Sequence, residues 1–492
     1  MNGIRRALVL STSERYFTIG ANFFTLAIVS RLLTPAEIGV SVLGMAISML
    51  VLTVREFATP IFLIQRKELQ LQDVRTTVTV LMMVTAAISL LIMVSARGLA
   101  VFYEEPGLAP YLRVLSVWML IQIISAPITA LLRREMAFGK LAVVNMTGAA
   151  LCTGLTIALA MHGFSYMSVA WSLLASETVV ACMCLFIWPD RSIFKPSLGV
   201  WRSMVKFSGY NGTNVLLYKI YESLPYLALG HTLPTEGVAL YNRAFQISLL
   251  PEKMILGGAM NVLLSAFSAE VRNGRGLRDP YLRSIEIITA ILWPALVLIV
   301  ILAEPIVRIV LGDQWLGSVP LVRIMAIASL FSFSAELNYP VLIALGAMRD
   351  LLWRSLIAWP ISAVVITCAA YFGLKAAALS WLVTVPFQAY ISIYFVRRNV
   401  DVAWSDILFS LRKGVALAMC SAVGPLSVVI FMEGPLDLSI GATIGVIALG
   451  LIGWCAGLRL TMHPLLREIE DVVSKLLDSL LSASKRFQTL RW

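Results

Sequence analysis

Charge is what this sequence has least of. Only 14% of its 492 residues are Asp, Glu, Lys or Arg, against about 25% in a soluble globular chain. That scarcity excludes an ordinary water-soluble fold. Histidine occurs three times and cysteine six times. Cys152, Cys182, Cys184, Cys368, Cys420 and Cys455 all fall inside apolar stretches, at spacings that fit no metal-ligand pattern, so they read as small hydrophobes. No metal and no cofactor is expected. A GxxxxGK[ST] motif is missing, which excludes P-loop ATP hydrolysis by this chain. No long loop carries the paired carboxylates that a membrane glycosyltransferase or polymerase needs, and no selectivity-filter sequence points to a channel.

What is present is hydrophobic sequence, 59% of the chain. Apolar stretches recur from end to end, each long enough to cross roughly 30 Å of hydrocarbon. Backbone groups in lipid must pair within a helix or a closed barrel. Runs such as Ala290–Ala303 show none of the alternation that a barrel requires. The expected fold class is therefore an all-α integral membrane protein with about fourteen spans. They are placed at 14–33, 38–63, 77–100, 112–132, 141–162, 166–188, 206–230, 237–264, 284–303, 320–345, 352–373, 375–396, 413–432 and 438–459. The eleventh and twelfth are separated only around Gly373 and Lys375. A short basic start, with Arg5 and Arg6, runs into a first span carrying Glu14 and Arg15, so that span is expected to stay as an anchor.

The net charge of +11 does not point to nucleic acid, because the basic residues sit in short loops between spans. With the N-terminus inside, the inner loops hold Arg66/Lys67/Arg75, Arg133/Arg134/Lys140, Arg191/Lys195/Arg202/Lys206 and Arg272/Arg275/Arg278/Arg283. They also hold Arg349/Arg354, Arg397/Arg398/Arg412/Lys413 and the basic tail. The outer loops hold only Arg31, Arg97, Arg113, Arg308, Arg323 and Lys375. This bias predicts both termini on the cytoplasmic side. Residues 463–489 show Leu465, Leu466, Ile469, Val472, Val473, Leu476, Leu477, Leu480 and Leu481 at helical spacing. An amphipathic helix on the inner membrane surface is expected there, with a partner-binding helix as the alternative.

Pro35-Ala36-Glu37-Ile38-Gly39-Val40, after the first span, is echoed by Pro234-Thr235-Glu236-Gly237-Val238 after the seventh. An acidic residue suits the helix N-terminus that each copy starts. Six spans lie between the copies, so the repeat is parallel. The expected division is a six-helix lobe at 1–196, a second at 197–400, two extra helices at 401–461 and a tail at 462–492. A substrate cleft is expected between the repeats.

Ionisable residues inside spans are expensive and are functional candidates by default. The cations are Arg15, Arg55, Lys219, Arg243 and Lys253, four of them well within spans one, two, seven and eight. Such a set suits an anionic head group such as a pyrophosphate. Bland readings stand beside these: Arg15 can snorkel, Lys219 and Glu222 can neutralise each other, Arg55 can pair with Glu56, and Arg243 lies near the outer surface. Lys253 with Glu252 follows Pro251, where a broken helix opens backbone to a cavity. Glu177 and Glu336 stand as lone acids, and with Glu222 and Glu252 they are the candidates for ion coupling. Asn22, Asn211 and Asn214 can hydrogen-bond sugars or neighbouring helices. His162, His231 and His463 fall at span ends, where a surface role is expected.

Several segments together resemble a known family. They are Ser30-Arg31-Leu32-Leu33-Thr34-Pro35-Ala36-Glu37-Ile38-Gly39, Leu132-Arg133-Arg134-Glu135-Met136-Ala137-Phe138, Leu240-Tyr241-Asn242-Arg243-Ala244-Phe245-Gln246 with Leu250-Pro251, Leu264-Ser265-Ala266-Phe267-Ser268 and Leu311-Gly312-Asp313-Gln314-Trp315. In this order they resemble the polysaccharide transporters, or Wzx-type lipid-linked oligosaccharide flippases, of the multidrug/oligosaccharidyl-lipid/polysaccharide exporter superfamily. Among its members the chain resembles the succinoglycan-type exopolysaccharide exporters. The resemblance implies a two-lobed helical fold that alternates access to a central cationic cavity in the bacterial cytoplasmic membrane. Its implied cargo is a polyprenyl-pyrophosphate-linked oligosaccharide, moved outward for a polysaccharide polymerase and chain-length regulator to use. One departure is Pro225, where many members carry an Asp. A cation-coupled multidrug exporter of the same superfamily and a non-transporting assembly scaffold are the competing readings. The first predicts an acid-rich cavity, the second that the buried cations are dispensable.

Overall fold

The computed structural model describes residues 2–58, 63, 69–199, 201–431 and 438–466. Among them there is no strand, and eleven helices are long and apolar enough to cross a membrane. The chain is thus an all-α, multi-span membrane protein, although the expected count of fourteen is not reached by that measure. Helices α1 (Asn2–Leu32) and α7 (Trp201–Thr232) are 31 and 32 residues long. Both exceed the length a span needs but are less apolar than the eleven.

The chain separates into two compact units: Met1–Ile247 with Val307–Leu321 and Arg349–Ile391, and Ser248–Ile306 with Val322–Met348 and Ser392–Trp492. In the first unit, α2 (Pro35–Leu52) continues into a 3-10 turn, Thr53–Ala58. Then come α3 (Leu71–Phe102), α4 (Leu108–Arg134), α5 (Phe138–Met161) and α6 (Met167–Ile187). Helix α1 packs on α5, α3 on α4, and α6 on both α4 and α5, while α7 lies along α2 and the 3-10 turn. The core between them is apolar: Leu43, Ile92, Leu108, Tyr111, Leu112 and Leu115 form one cluster. Lipid offers no hydrophobic drive for helix pairing, so close packing and interhelical hydrogen bonds must do it. Thr156 and Ser172 supply one such bond, 2.6 Å between α5 and α6. Gly44 supplies close packing, since a Cβ there would lie 2.4 Å from the Tyr111 ring.

Helix α8 (Thr235–Ser248) follows α7, and α9 (Leu250–Arg272) follows α8. The eighth expected span, 237–264, is therefore two helices and not one. Pro251 falls in the first turn of α9, where its missing N–H costs nothing but where it cannot continue the helix before it.

The second unit is built on α10 (Arg278–Ile301) and α13 (Phe333–Ala344), with α17 (Trp404–Phe431) and α18 (Ile440–Leu460). Between α10 and α13 in the chain run α11 (Ala303–Val310), a 3-10 turn Asp313–Ser318, and α12 (Val319–Ala328). Next in the chain come α14 (Met348–Ala370), α15 (Leu374–Leu379) and α16 (Trp381–Asn399), of which Arg349–Ile391 belong to the first unit. The expected break at Gly373 is present, with φ +102° at that residue. In the second unit α10 packs on α17, α17 on α18, and α9 on α13. Gly453 admits the Cys420 carbonyl so closely that a Cβ would stand 2.3 Å from it, and the Trp454 indole donates to the Ala290 carbonyl at 2.8 Å.

Two further expectations change. Arg354, counted among inner-loop residues, lies within α14 and is buried. His463, expected at the surface, has a buried side chain. Its Nδ1 accepts the Leu465 amide at 3.1 Å, and its Nε2 is 3.8 Å from Glu286 Oε1. Leu465 packs with Ala290, Leu417 and Leu458. The expected tail helix lies outside the described residues from 467 onward.

Candidate functional site

The start of each repeat is fixed by local chemistry. Before α2, Thr34 and Glu37 form a capping box: the Thr34 amide donates to Glu37 Oε2 at 2.7 Å, and the Glu37 amide donates to Thr34 Oγ1 at 3.4 Å. This satisfies two amides that a helix start leaves unpaired. In the second copy the Gly237 amide donates to the Pro234 carbonyl at 2.9 Å as α8 begins. The two copies meet. A Cβ on Gly39 would lie 1.9 Å from the Thr235 carbonyl oxygen.

The same end of the first unit is clasped from the 3-10 turn at 313–318. Trp315 Nε1 donates to the Ser30 carbonyl at 2.7 Å and Gln314 Nε2 to the Leu33 carbonyl at 3.0 Å. These are among the carbonyls that the end of α1 leaves without helical partners. Arg31, in return, donates to the Ile309 carbonyl at the end of α11. Two of the segments that carried the family resemblance are thus bonded to each other.

Arg243 belongs to this assembly. It is 7% exposed, its guanidinium carbon 5.4 Å from the Trp315 ring centroid, and NH1 donates to Gln246 Oε1 at 3.2 Å. Gln246 donates to Asn242 at 2.8 Å, and Asn242 to the Tyr226 hydroxyl at 3.3 Å. Tyr241 accepts from the Trp381 indole at 2.8 Å. Arg243 is buried within this set of aromatic and amide side chains.

Arg55 and Glu177, weighed separately in the sequence, are brought together. Arg55 NH1 donates to Gln122 Oε1 of α4 at 3.0 Å. One turn on, Ser125 donates to Glu177 Oε1 of α6. Ser125 also donates to the Gln122 carbonyl at 3.4 Å, which links the two pairs. Glu177 is therefore not a lone acid, and the 3-10 turn, α4 and α6 share one polar network.

The 3-10 turn that bears Arg55 packs on α7, which carries the second charged group. Lys219 Nζ lies 2.6 Å from Glu222 Oε2, the two side chains 31% and 32% exposed. Around the pair stand aromatics. Tyr218 and Tyr221 meet the Trp359 ring of α14 at centroid distances of 5.3 and 4.9 Å, and the Arg354 guanidinium lies 5.5 Å from that ring. Pro225 has no N–H for the Tyr221 carbonyl, and such a proline bends a spanning helix.

The remaining candidates stand apart. Arg15 and Asn22 are exposed on α1, where Glu14 accepts a 2.6 Å hydrogen bond from Asn145. Lys253 is exposed and Glu252 half-buried at the start of α9, in the second unit. The side chains of Asn211, Glu336 and Glu56 lie outside the described set. Sequence reasoning missed Gln122, Ser125, Tyr218, Tyr221, Arg354 and Trp359. The available signal was the density of aromatics in Tyr218-Lys219-Ile220-Tyr221-Glu222.

Known proteins agree with this architecture. The succinoglycan biosynthesis transport protein ExoT of Rhizobium meliloti (strain 1021) is 25% identical over 385 residues, 77% of each chain. The teichuronic acid biosynthesis protein TuaB of Bacillus subtilis (strain 168) is 22% identical over 287 residues, 58% of this chain and 59% of that one. The solved structure of the lipid II flippase MurJ, in an inward closed conformation, superposes with a TM-score of 0.74 at 11% identity, covering 93% of this chain and 99% of that one. At that identity the likeness is one of fold. The profile of the polysaccharide biosynthesis protein family matches residues 28–320, more than half of the chain, and the protein belongs to that family.

Proposed function

We propose that this protein moves polyprenyl-pyrophosphate-linked oligosaccharide repeat units from the inner to the outer leaflet of the bacterial cytoplasmic membrane. It acts as a carrier, not an enzyme, by alternating access, with both termini cytoplasmic. The lipid-linked unit is released for assembly by a polysaccharide polymerase and chain-length regulator. A relative named as a transport protein of polysaccharide biosynthesis and a shared fold with a lipid flippase support the reading.

The observation that carries it is the half-buried cation Arg55 on the 3-10 turn, packed against α7 with its half-buried Lys219–Glu222 pair. A cation kept partly accessible within a spanning unit marks a substrate path. Arg55 is the main proposed contact to the pyrophosphate, with Arg15 and Lys253 secondary. Arg243, held by Gln246 and Trp315, positions its neighbours. Asn22 and Asn211 are proposed contacts to sugar hydroxyls. Glu177, Glu222, Glu252 and Glu336 are the proposed coupling sites.

A cell-based test follows. Cells lacking the protein should accumulate the lipid-linked oligosaccharide on the inner leaflet and lose surface polymer. The parent chain should restore polymer and Arg55→Ala should not, at equal membrane abundance. Equal restoration by both would favour a scaffold.

A further inference from the structure

We propose that Tyr218, Lys219 and Glu222 on α7, braced by Trp359 on α14, form a carbohydrate subsite for an uncharged sugar ring of the cargo. This inference rests on the reading above and deepens it, because it separates sugar recognition from head-group recognition.

Depth comes first. Lys219 lies about 20 Å along α7 from Thr232 and about 27 Å from Trp201, at 1.5 Å per residue. Trp359 lies about 16 Å from either end of α14. The cluster is far from both helix ends. Interfacial aromatic belts sit at the membrane surface and do not account for it. Yet Tyr218 is 41% exposed, and Lys219 and Glu222 are about one-third exposed. An ion pair exposed at that depth faces a polar space and not lipid.

Charge comes second. The 2.6 Å contact of Lys219 with Glu222 cancels the net charge. A pyrophosphate would have to compete with the Glu222 carboxylate for the ammonium. An uncharged polyol need not. An ammonium has three donors and a carboxylate about four acceptor positions, and their mutual bond uses one of each. The remainder matches sugar hydroxyls, which both donate and accept.

Shape comes third. A pyranose has an apolar C–H face bounded by hydroxyls, and an aromatic ring beside polar groups complements it. The Tyr218 ring is held edge-on to Trp359, at 5.3 Å and 69°. Trp359 is fixed in turn by Tyr221 and by the buried Arg354. Lys219 Nζ stands 5.7 Å from the Tyr218 ring centroid, which sets the donor beside the platform. Rigid aromatic groups bind at little entropic cost.

The test uses the full chain in nanodiscs and two probes. One is the polyprenyl-pyrophosphate oligosaccharide pool extracted from the producing cells; the other is undecaprenyl pyrophosphate without sugar. Tyr218→Leu and Trp359→Leu should each weaken binding of the sugar-bearing lipid about tenfold or more and leave the bare lipid within about twofold. Tyr218→Phe, which keeps the ring, should retain the parent's affinity for the sugar-bearing lipid. Glu222→Gln should tighten binding of the bare lipid, because it releases the Lys219 charge. Equal losses for both probes, no loss for either, or a parent that binds both alike would overturn the subsite while the transport reading stands. A parent that binds neither lipid sinks the transport reading itself and the subsite with it.

Discussion

Gly39 and Thr235 approach so closely that a Cβ on Gly39 would lie 1.9 Å from the Thr235 carbonyl oxygen. Each residue sits near the start of one copy of the same repeated turn; Pro35 and Pro234, which open the two copies, are 199 positions apart. The repeat is thus a packing relation as well as a sequence relation. Two helix starts of like design meet where one of them has no side chain.

Gly39→Ala tests that contact. A backbone oxygen cannot rotate away as a side chain can, so the helices must separate. Overpacking of this kind costs roughly 1–3 kcal/mol, read as a lower melting temperature in detergent. Gly20→Ala is the control, since nothing lies within 4 Å of its added Cβ. It should be neutral or slightly stabilising. Equal effects of the two would refute the packing role.

Trp315 should matter through its N–H as well as its ring. Trp315→Phe removes the donor to Ser30 and should cost about 1–2 kcal/mol. Trp315→Ala also opens a cavity beside Arg243 and should cost about 3–5 kcal/mol. Thermal unfolding of the purified protein measures both. A Phe variant as stable as the parent would leave the indole hydrogen bond without weight.

Gln122 positions Arg55 without itself carrying charge. Gln122→Ala should slow translocation by about twofold to fivefold, whereas Arg55→Ala should slow it tenfold or more, equivalent to about 1.4 kcal/mol of barrier. Ser125→Ala, which loosens Glu177, should resemble the Gln122 variant. If Gln122→Ala is as inactive as Arg55→Ala, the cation is not the group that acts on the cargo.

In the second unit, Glu286 holds Lys413 at 2.6 Å with His463 nearby. Both partners are less than one-third exposed. Glu286→Ala leaves Lys413 without that partner and should cost about 1–3 kcal/mol, below the range for a fully buried pair. The Glu286→Ala/Lys413→Met double variant should recover most of the loss. Unfolding curves of the three proteins settle whether the pair couples.

Much of this was legible in the sequence because hydrocarbon taxes charge and backbone heavily. Lys219 with Glu222, the break at Gly373 and the helix start at Pro35 each left a mark that one residue type carries alone. The break in the eighth span is legible at Pro251, although the stretch around it, with Arg243, Glu252 and Lys253, reads as one span. Gln122, Ser125, Tyr218 and Trp359 left no such mark. Uncharged polar and aromatic groups are common in spans, and their roles arise only from partners on other helices, as Trp359 meets Tyr218 across 141 positions. Arg354 falls inside the expected span 352–373 but counts there for its charge alone; its burial beside the Trp359 ring comes from a packing that spacing does not show.

The central claim is translocation, and reconstitution tests it most directly. The purified protein would be placed in liposomes whose inner leaflet holds a polyprenyl-pyrophosphate oligosaccharide labelled on its sugar, and the label would be read from outside. The account predicts that the parent exposes the label faster than protein-free vesicles do, and that Arg55→Ala and Lys219→Ala, folded and inserted equally well, are slower by about tenfold or more. No exposure above protein-free vesicles, or parental rates in both variants, would contradict it.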